Sequence, residues 1–219
     1  ARNIDRLSQA ISQLYHSPNL AVIMENHARE YVRQNHSQES HYFRLVEIYE
    51  RLANGANVAP DTARPLRVAF IGGRGVTSEY SGIETYYEET GKRLASRGHQ
   101  VTVYCRSHFT PAAATLNGMR LVRLPTIRTK HLETCVHTLL STVHAIFTDC
   151  DIVHYQALGS ALFSFLPRCF GKKSIVTIQG LDWQRKKWGW VASNILHAGE
   201  KAAILFPSAT IVVSRTLHQ

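Results

Sequence analysis

The chain has 219 residues, enough for one good-sized domain or two small ones, and 44% of them are apolar, which is enough for a real core. No stretch of about eighteen apolar residues occurs and no apolar leader opens the chain, which argues against a transmembrane helix and a signal peptide. Of the 25 basic and 16 acidic residues, residues 1–65 hold 7 and 7, leaving 18 and 9 for residues 66–219; the whole +9 therefore lies in the second part, as a solvated basic surface or as attraction to an anionic partner: a nucleotide-sugar phosphate, a lipid pyrophosphate, an anionic membrane or nucleic acid.

Residues 1–53 read as helices only. Ile4, Leu7, Ile11 and Leu14 recur at helical spacing, and Ser17-Pro18 breaks the pattern. Leu20, Ile23, Met24, Ala28, Tyr31 and Val32 make a second stripe, and Tyr42, Leu45, Ile48, Tyr49 and Leu52 a third. Three amphipathic helices without a strand cannot bury their stripes fully on one another, so docking on something larger is expected. Residues 54–65, with two prolines, a glycine and no apolar period, read as a linker.

From Leu66 the pattern changes. Leu66–Ile71 is a short apolar, β-branched run, the mark of a buried strand, and it ends in Gly72-Gly73-Arg74-Gly75. A helical pattern over Ile83–Arg97 closes at Gly98, and Gln100–Cys105 reads as the next strand. Strand, glycine loop, helix, strand is the opening unit of a doubly wound parallel sheet. Such a loop lies where a helix amino end and free backbone N–H groups favour phosphate. Gly73, Gly75 and Gly82 are candidates for close approach to it, and Arg74 for pairing with phosphate or carboxylate. Ser81 and Glu84 have capping-box spacing, which gives Glu84 a structural role beside a place in the cleft.

The dinucleotide fingerprint fails, because Ser78 stands where the third glycine is required, and no acidic residue ends the second strand. Arg106 could serve a 2′-phosphate, which keeps an NADP-binding Rossmann reading open. A P-loop is excluded, because no Gly-Lys-Ser/Thr follows the glycines.

Arg106–Gly118 reads as an irregular loop, Met119–Pro125 as a third strand and Lys130–Thr148 as a helix whose His137 and His144 share a face as packing residues. Asp151–Gln156 is a fourth strand with His154 near its carboxyl end, where a cleft is expected. Leu158–Phe170 reads as a helix with Pro167 near its end, Lys173–Ile178 as a fifth strand, Val191–Leu205 as a helix and Ala209–Val213 as a sixth strand. Trp183–Trp190 interleaves basic residues with tryptophans, a composition suited to a membrane interface, a stacked sugar or a stacked base, or to a basic, partly packed surface loop. Cys105, Cys135, Cys150 and Cys169 are scattered without metal spacing, which fits a reducing cytosol without a metal site or disulfide framework.

The motifs Gly72–Gly75, Ser81–Glu84, Gly98–Arg106, Asp151–Tyr155, Ile175–Trp188 and Ile211–Arg215 together resemble the N-terminal half of family 4 glycosyltransferases of the GT-B fold, the rhamnosyltransferase-like group in particular. The resemblance implies a Rossmann-like α/β domain over 66–219, with about six parallel strands in the order 3-2-1-4-5-6, on the acceptor side of a retaining, metal-independent enzyme that needs no cofactor. Its substrates would be a nucleotide-diphosphate sugar and a bacterial surface glycan or lipid-linked acceptor, with cytoplasmic placement and peripheral contact with anionic membrane, and no nucleic acid. Arg74, Glu84, His154, Asp182 and Trp183 would line the cleft. Gln179 stands where the family typically carries a histidine near the reacting sugar carbon; glutamine can hydrogen-bond a hydroxyl but cannot take or give a proton.

Residues 1–53 resemble the last helices of a GT-B C-terminal domain. Preceding an N-terminal half, they imply a piece of a tandem enzyme: the tail of one unit, a linker, then the first half of the next. In that arrangement the donor-binding domain is missing, and Tyr42–Leu52 would dock on the sheet domain. A non-catalytic interaction module is the alternative from another class.

Overall fold

A computed structural model of the chain describes residues 3–55, 64–76, 82–110, 112–127, 129, 132–180 and 190–213. Close packing divides the chain into two units, Ala1–Glu47 and Ile48–Gln219.

The first unit is helical. Helix α1 spans Ile4–His16, α2 Pro18–Asn35 and α3 Gln38–Asn54, the last seven residues of α3 belonging to the second unit. The Asn3 side chain caps α1 by accepting from the Arg6 N–H at 3.0 Å. Pro18 opens α2 at a position where no N–H is needed. The Ser37 hydroxyl accepts from the Ser40 N–H at the start of α3. Neither α1 nor α2 buries a residue, and Ile4, Leu7, Ile11, Ile23 and Met24 of the predicted stripes stay exposed.

The second unit is a seven-stranded sheet. Strands β1 (Arg67–Ile71), β2 (Gln100–Arg106), β3 (Thr115–Leu116), β4 (Met119–Leu124), β5 (Ile152–Gln156), β6 (Lys173–Ile178) and β7 (Ala209–Val212) lie in the order β3-β4-β2-β1-β5-β6-β7. All neighbours run parallel except β3 and β4. Setting β3 aside, this is the expected order 3-2-1-4-5-6. The helices between strands are α4 (Gly82–Ser96), α5 (Leu132–Phe147), α6 (Leu158–Ala161), α7 (Phe165–Cys169) and α8 (Trp190–Leu205).

Two differences from the sequence reading have local causes. The stretch before Met119 is not wholly irregular: Asn117 and Gly118, both at positive φ, turn β3 back on β4 as a two-residue hairpin. The single helix expected over Leu158–Phe170 is two short ones. Pro167 has no N–H to donate back to Phe163, and the Ser164 hydroxyl donates to the Ala161 carbonyl at the break.

Alternation along the strands sorts the side chains onto two faces. Ala69, Ile71, Val153, Tyr155, Val176 and Ile178 form one core with Tyr104, Ala145, Leu158, Leu196 and Ala203. The opposite face carries Phe70, stacked on Tyr87 of α4 at 5.0 Å, with Tyr86 and His154 alongside. The end of α3 reaches this second face: Tyr49 is fully buried and its ring stands edge-on to His154. That meets the docking expectation at Tyr49.

At the amino end of the sheet Asp151 ties β1 to β5. Its carboxylate accepts from the Arg67 N–H at 2.9 Å and from the Arg67 and Arg64 guanidiniums. Burial pushes its pKa up, but these donors outweigh burial and hold it well below the usual carboxylate range.

Candidate functional site

Crossovers run to one side of β1 toward β2 and to the other from β5, so the strand order reverses between β1 and β5. In open α/β sheets ligands bind outside the carboxyl ends of the strands at such a reversal. The loop after β1, Gly72–Val76, and the turn after β5 at Ala157 flank it, with Gln179 and Gly180 beyond the end of β6.

The two flanking turns are pressed together. Gly72 has φ +116°, and a Cβ there would run into the Gln156 backbone carbonyl. Across from it Ala157 has φ 73° and ψ 156°, a region reserved for glycine that costs on the order of 1–3 kcal/mol. Neither residue stands out in the sequence; the doubled glycine at Gly72-Gly73 is the only mark of the first, and nothing marks the second.

Two N–H groups of the glycine loop are taken up within the protein. The Gly73 N–H donates to the Tyr87 hydroxyl at 3.2 Å, and the Arg74 N–H donates to Glu84 Oε1 at 3.0 Å. A Cβ at Gly73 would meet the Tyr87 ring at 2.5 Å, and one at Gly75 would strike the Thr110 hydroxyl, whereas Gly82 has open space around it. Packing against the protein therefore accounts for glycine at 73 and 75. Glu84 is a buried carboxylate on α4 that holds the loop backbone, a role different from the capping box expected with Ser81.

The Arg74 side chain is exposed and lies over the Phe109 ring at 5.3 Å, a cation–π contact. Arg106, by contrast, is 5% exposed. It pairs with Glu133 at 2.9 Å and donates to the Thr134 hydroxyl at 3.0 Å, so it is not presented to a 2′-phosphate. His108 approaches the same Glu133 at 2.8 Å.

His154 is in the core rather than at an open cleft surface. It is fully buried, with Nδ1 2.6 Å from the Tyr49 hydroxyl and Nε2 2.7 Å from the Thr177 hydroxyl. Its position on the face shared with Phe70, covered by the end of α3, is the reason. Gln179 is exposed, and its Nε2 donates to Gln156 Oε1 at 3.0 Å. Asp182 and Trp183 lie outside the described residues, as do Ser81 and the rest of the Trp183–Trp188 stretch.

The helix histidines pack as the sequence suggests. His144 Nδ1 lies 2.8 Å from the Tyr104 hydroxyl. His137 is buried, with Nε2 lacking a hydrogen-bond partner beside the equally unpartnered Thr138 and Ser141 hydroxyls. Burial pushes its pKa down to about 4, so it is neutral above that pH. All four cysteines are free.

A glycine loop and the Gln179 turn at the reversal of a 3-2-1-4-5-6 sheet are shared by many nucleotide-binding α/β folds. Comparison with solved structures narrows the fold. The chain is similar to sucrose-phosphate synthase from Thermosynechococcus elongatus, a GT-B glycosyltransferase, with a TM-score of 0.55 at 19% identity; the match covers 69% of this chain and 43% of that one. At that identity the likeness concerns the fold. Residues 80–219, more than half of the chain, match the model for Glycosyltransferase Family 4, and the chain belongs to that family. None of the curated proteins matches it.

Proposed function

We propose that residues 66–219 are the acceptor-side half of a retaining glycosyltransferase. It would move a sugar from a nucleoside diphosphate to a bacterial surface glycan or a lipid-linked acceptor. The observation that carries this reading is the placement of Arg74 and Gln179 around the strand-order reversal of a family 4 sheet: an exposed guanidinium and an exposed amide at the carboxyl edge.

In this reading the bond from the sugar C1 to the diphosphate breaks and a bond from C1 to the acceptor oxygen forms on the same face. Gln179 cannot carry a proton, so the acceptor's hydroxyl proton leaves on the departing diphosphate. Gln179 contributes hydrogen bonds to the sugar, and Arg74 supplies positive charge for phosphate. A separate donor-binding domain would hold the nucleotide. Asp182 and Trp183 are assigned to the acceptor side, with the basic tryptophan-rich segment facing an anionic membrane.

The commitment of the Gly73 and Arg74 N–H groups within the protein favours a second reading, a non-catalytic module of a tandem enzyme. Calorimetric titration of a nucleoside diphosphate sugar into the full chain separates the two. The first reading predicts binding in the millimolar range, weakened about tenfold by Arg74→Ala, a change of ~1.4 kcal/mol. No binding, or binding indifferent to Arg74→Ala, supports the module.

A further inference from the structure

A continuous line of polar side chains runs from the end of α3 to the carboxyl edge of β6. Gln179 donates to Gln156 Oε1 at 3.0 Å. That bond sets the Gln156 amide with its oxygen toward Gln179 and its nitrogen toward His154, where the Nε2···Nε2 separation is 3.4 Å. The other side of the imidazole meets Tyr49, with Nδ1 2.6 Å from its hydroxyl. Tyr49, His154 and Gln156 are all fully buried, so water cannot replace a missing partner in this line.

The donors can be assigned. An amide –NH2 facing a ring nitrogen requires that nitrogen to be the unprotonated one, since two donors cannot bond each other. His154 is therefore protonated at Nδ1 and donates to the Tyr49 oxygen, while the one lone pair of Nε2 is shared between the Thr177 hydroxyl at 2.7 Å and the longer Gln156 contact at 3.4 Å. Donors then run head to tail from Gln179 through Gln156 and His154 to Tyr49. The opposite tautomer would set Nε2–H against the Gln156 –NH2. The Tyr86 hydroxyl also bonds Gln156, which steadies the middle of the line.

We infer that Tyr49 is a positioning residue for Gln179, acting through His154 and Gln156. With one N–H of Gln179 tied inward, its carbonyl oxygen and second N–H are left for the cleft, so the line decides which hydrogen-bonding groups a sugar hydroxyl meets. This last step rests on the proposed function; the hydrogen-bond line does not.

Nitrogen-15 NMR on the labelled full chain tests it. His154 should appear as the Nδ1-protonated neutral tautomer, and the Gln179 side-chain amide should show one proton protected from solvent exchange. In Tyr49→Phe, with the backbone amide pattern of the sheet retained, His154 should shift toward the Nε2-protonated tautomer and the protected Gln179 proton should exchange about tenfold faster. A structural role alone would lower Tm without touching that proton. Gln156→Leu, which removes the direct partner of Gln179, gives the exchange rate of a released amide for comparison, and the wild-type His154 tautomer decides the matter if Tyr49→Phe does not fold. An Nε2-protonated His154 in the wild type, or a Gln179 amide unmoved by a folded Tyr49→Phe, overturns the inference. A nucleoside diphosphate sugar that leaves the Gln179 amide unshifted overturns the functional reading and leaves the hydrogen-bond line intact.

Discussion

His137 and His154 show how burial turns two residues of one chemistry to different ends. Both are buried polar groups, but His154 has partners for both ring nitrogens, whereas Nε2 of His137 has none. The cost of charging an enclosed imidazole falls on His137, whose pKa burial pushes down to about 4. An unfolded histidine titrates near 6.5. Between those values the unfolded chain binds a proton that the folded chain refuses, so stability falls as pH drops from about 6.5 to 4 and the loss saturates below. The wild type should lose on the order of 3 kcal/mol across that window from this residue, and His137→Gln should flatten that part of a Tm-against-pH curve. A His137→Gln curve as steep as the wild type there would contradict the assignment. The sequence shows the residue types at these positions but not their partners. Nothing in the strand pattern around Asp151–Gln156 reveals that Tyr49, 105 residues earlier, closes over His154. The spacing of Glu84 from Ser81 suggests a capping box, which falls outside the described residues; its bond to the Arg74 N–H needs the folded loop.

Elements were the most legible level. The parallel strands and their helices follow from short β-branched runs separated by helical periods, and their order follows from the family resemblance. What escaped was set by single residues whose signal is weak alone. Asn117-Gly118 announces a type I′ hairpin, but only two residues of β3 precede it, too few for an alternating pattern. Pro167 announces a break, yet whether it ends or splits a helix depends on the packing around Ser164. The join between β1 and β5 is likewise a tertiary matter. Asp151 sits with its carboxylate between Arg64 and Arg67, and its depressed pKa means that this stabilisation is present above the unfolded value near 4 and is lost as pH falls toward the folded one. Asp151→Asn should cost about 1–2 kcal/mol at neutral pH, a figure discounted because Arg64 is half exposed. Urea titrations at pH 7 and in acid check this: the gap between variant and wild type should narrow in acid, and a gap that does not change with pH would contradict it.

At the scale of the molecule, family membership and a GT-B-like sheet agree with the resemblance carried by the motifs from Leu66 onward. The chain corresponds to 43% of the length of its structural neighbour, so the activity of a whole enzyme is assigned by proposal. The central claim is that Gln179, fixed from below by Gln156, takes the place of a proton-carrying residue at the reacting sugar and works by hydrogen bonding alone. Transfer from a nucleoside diphosphate sugar by the two-domain enzyme proposed here, with the product's anomeric configuration read by NMR, tests it most directly. Retained configuration, a kcat lowered at least tenfold by Gln179→Ala, and a kcat without the fall at low pH that protonation of a general base would cause are predicted. An inverted product, or a kcat indifferent to Gln179→Ala, would contradict the account.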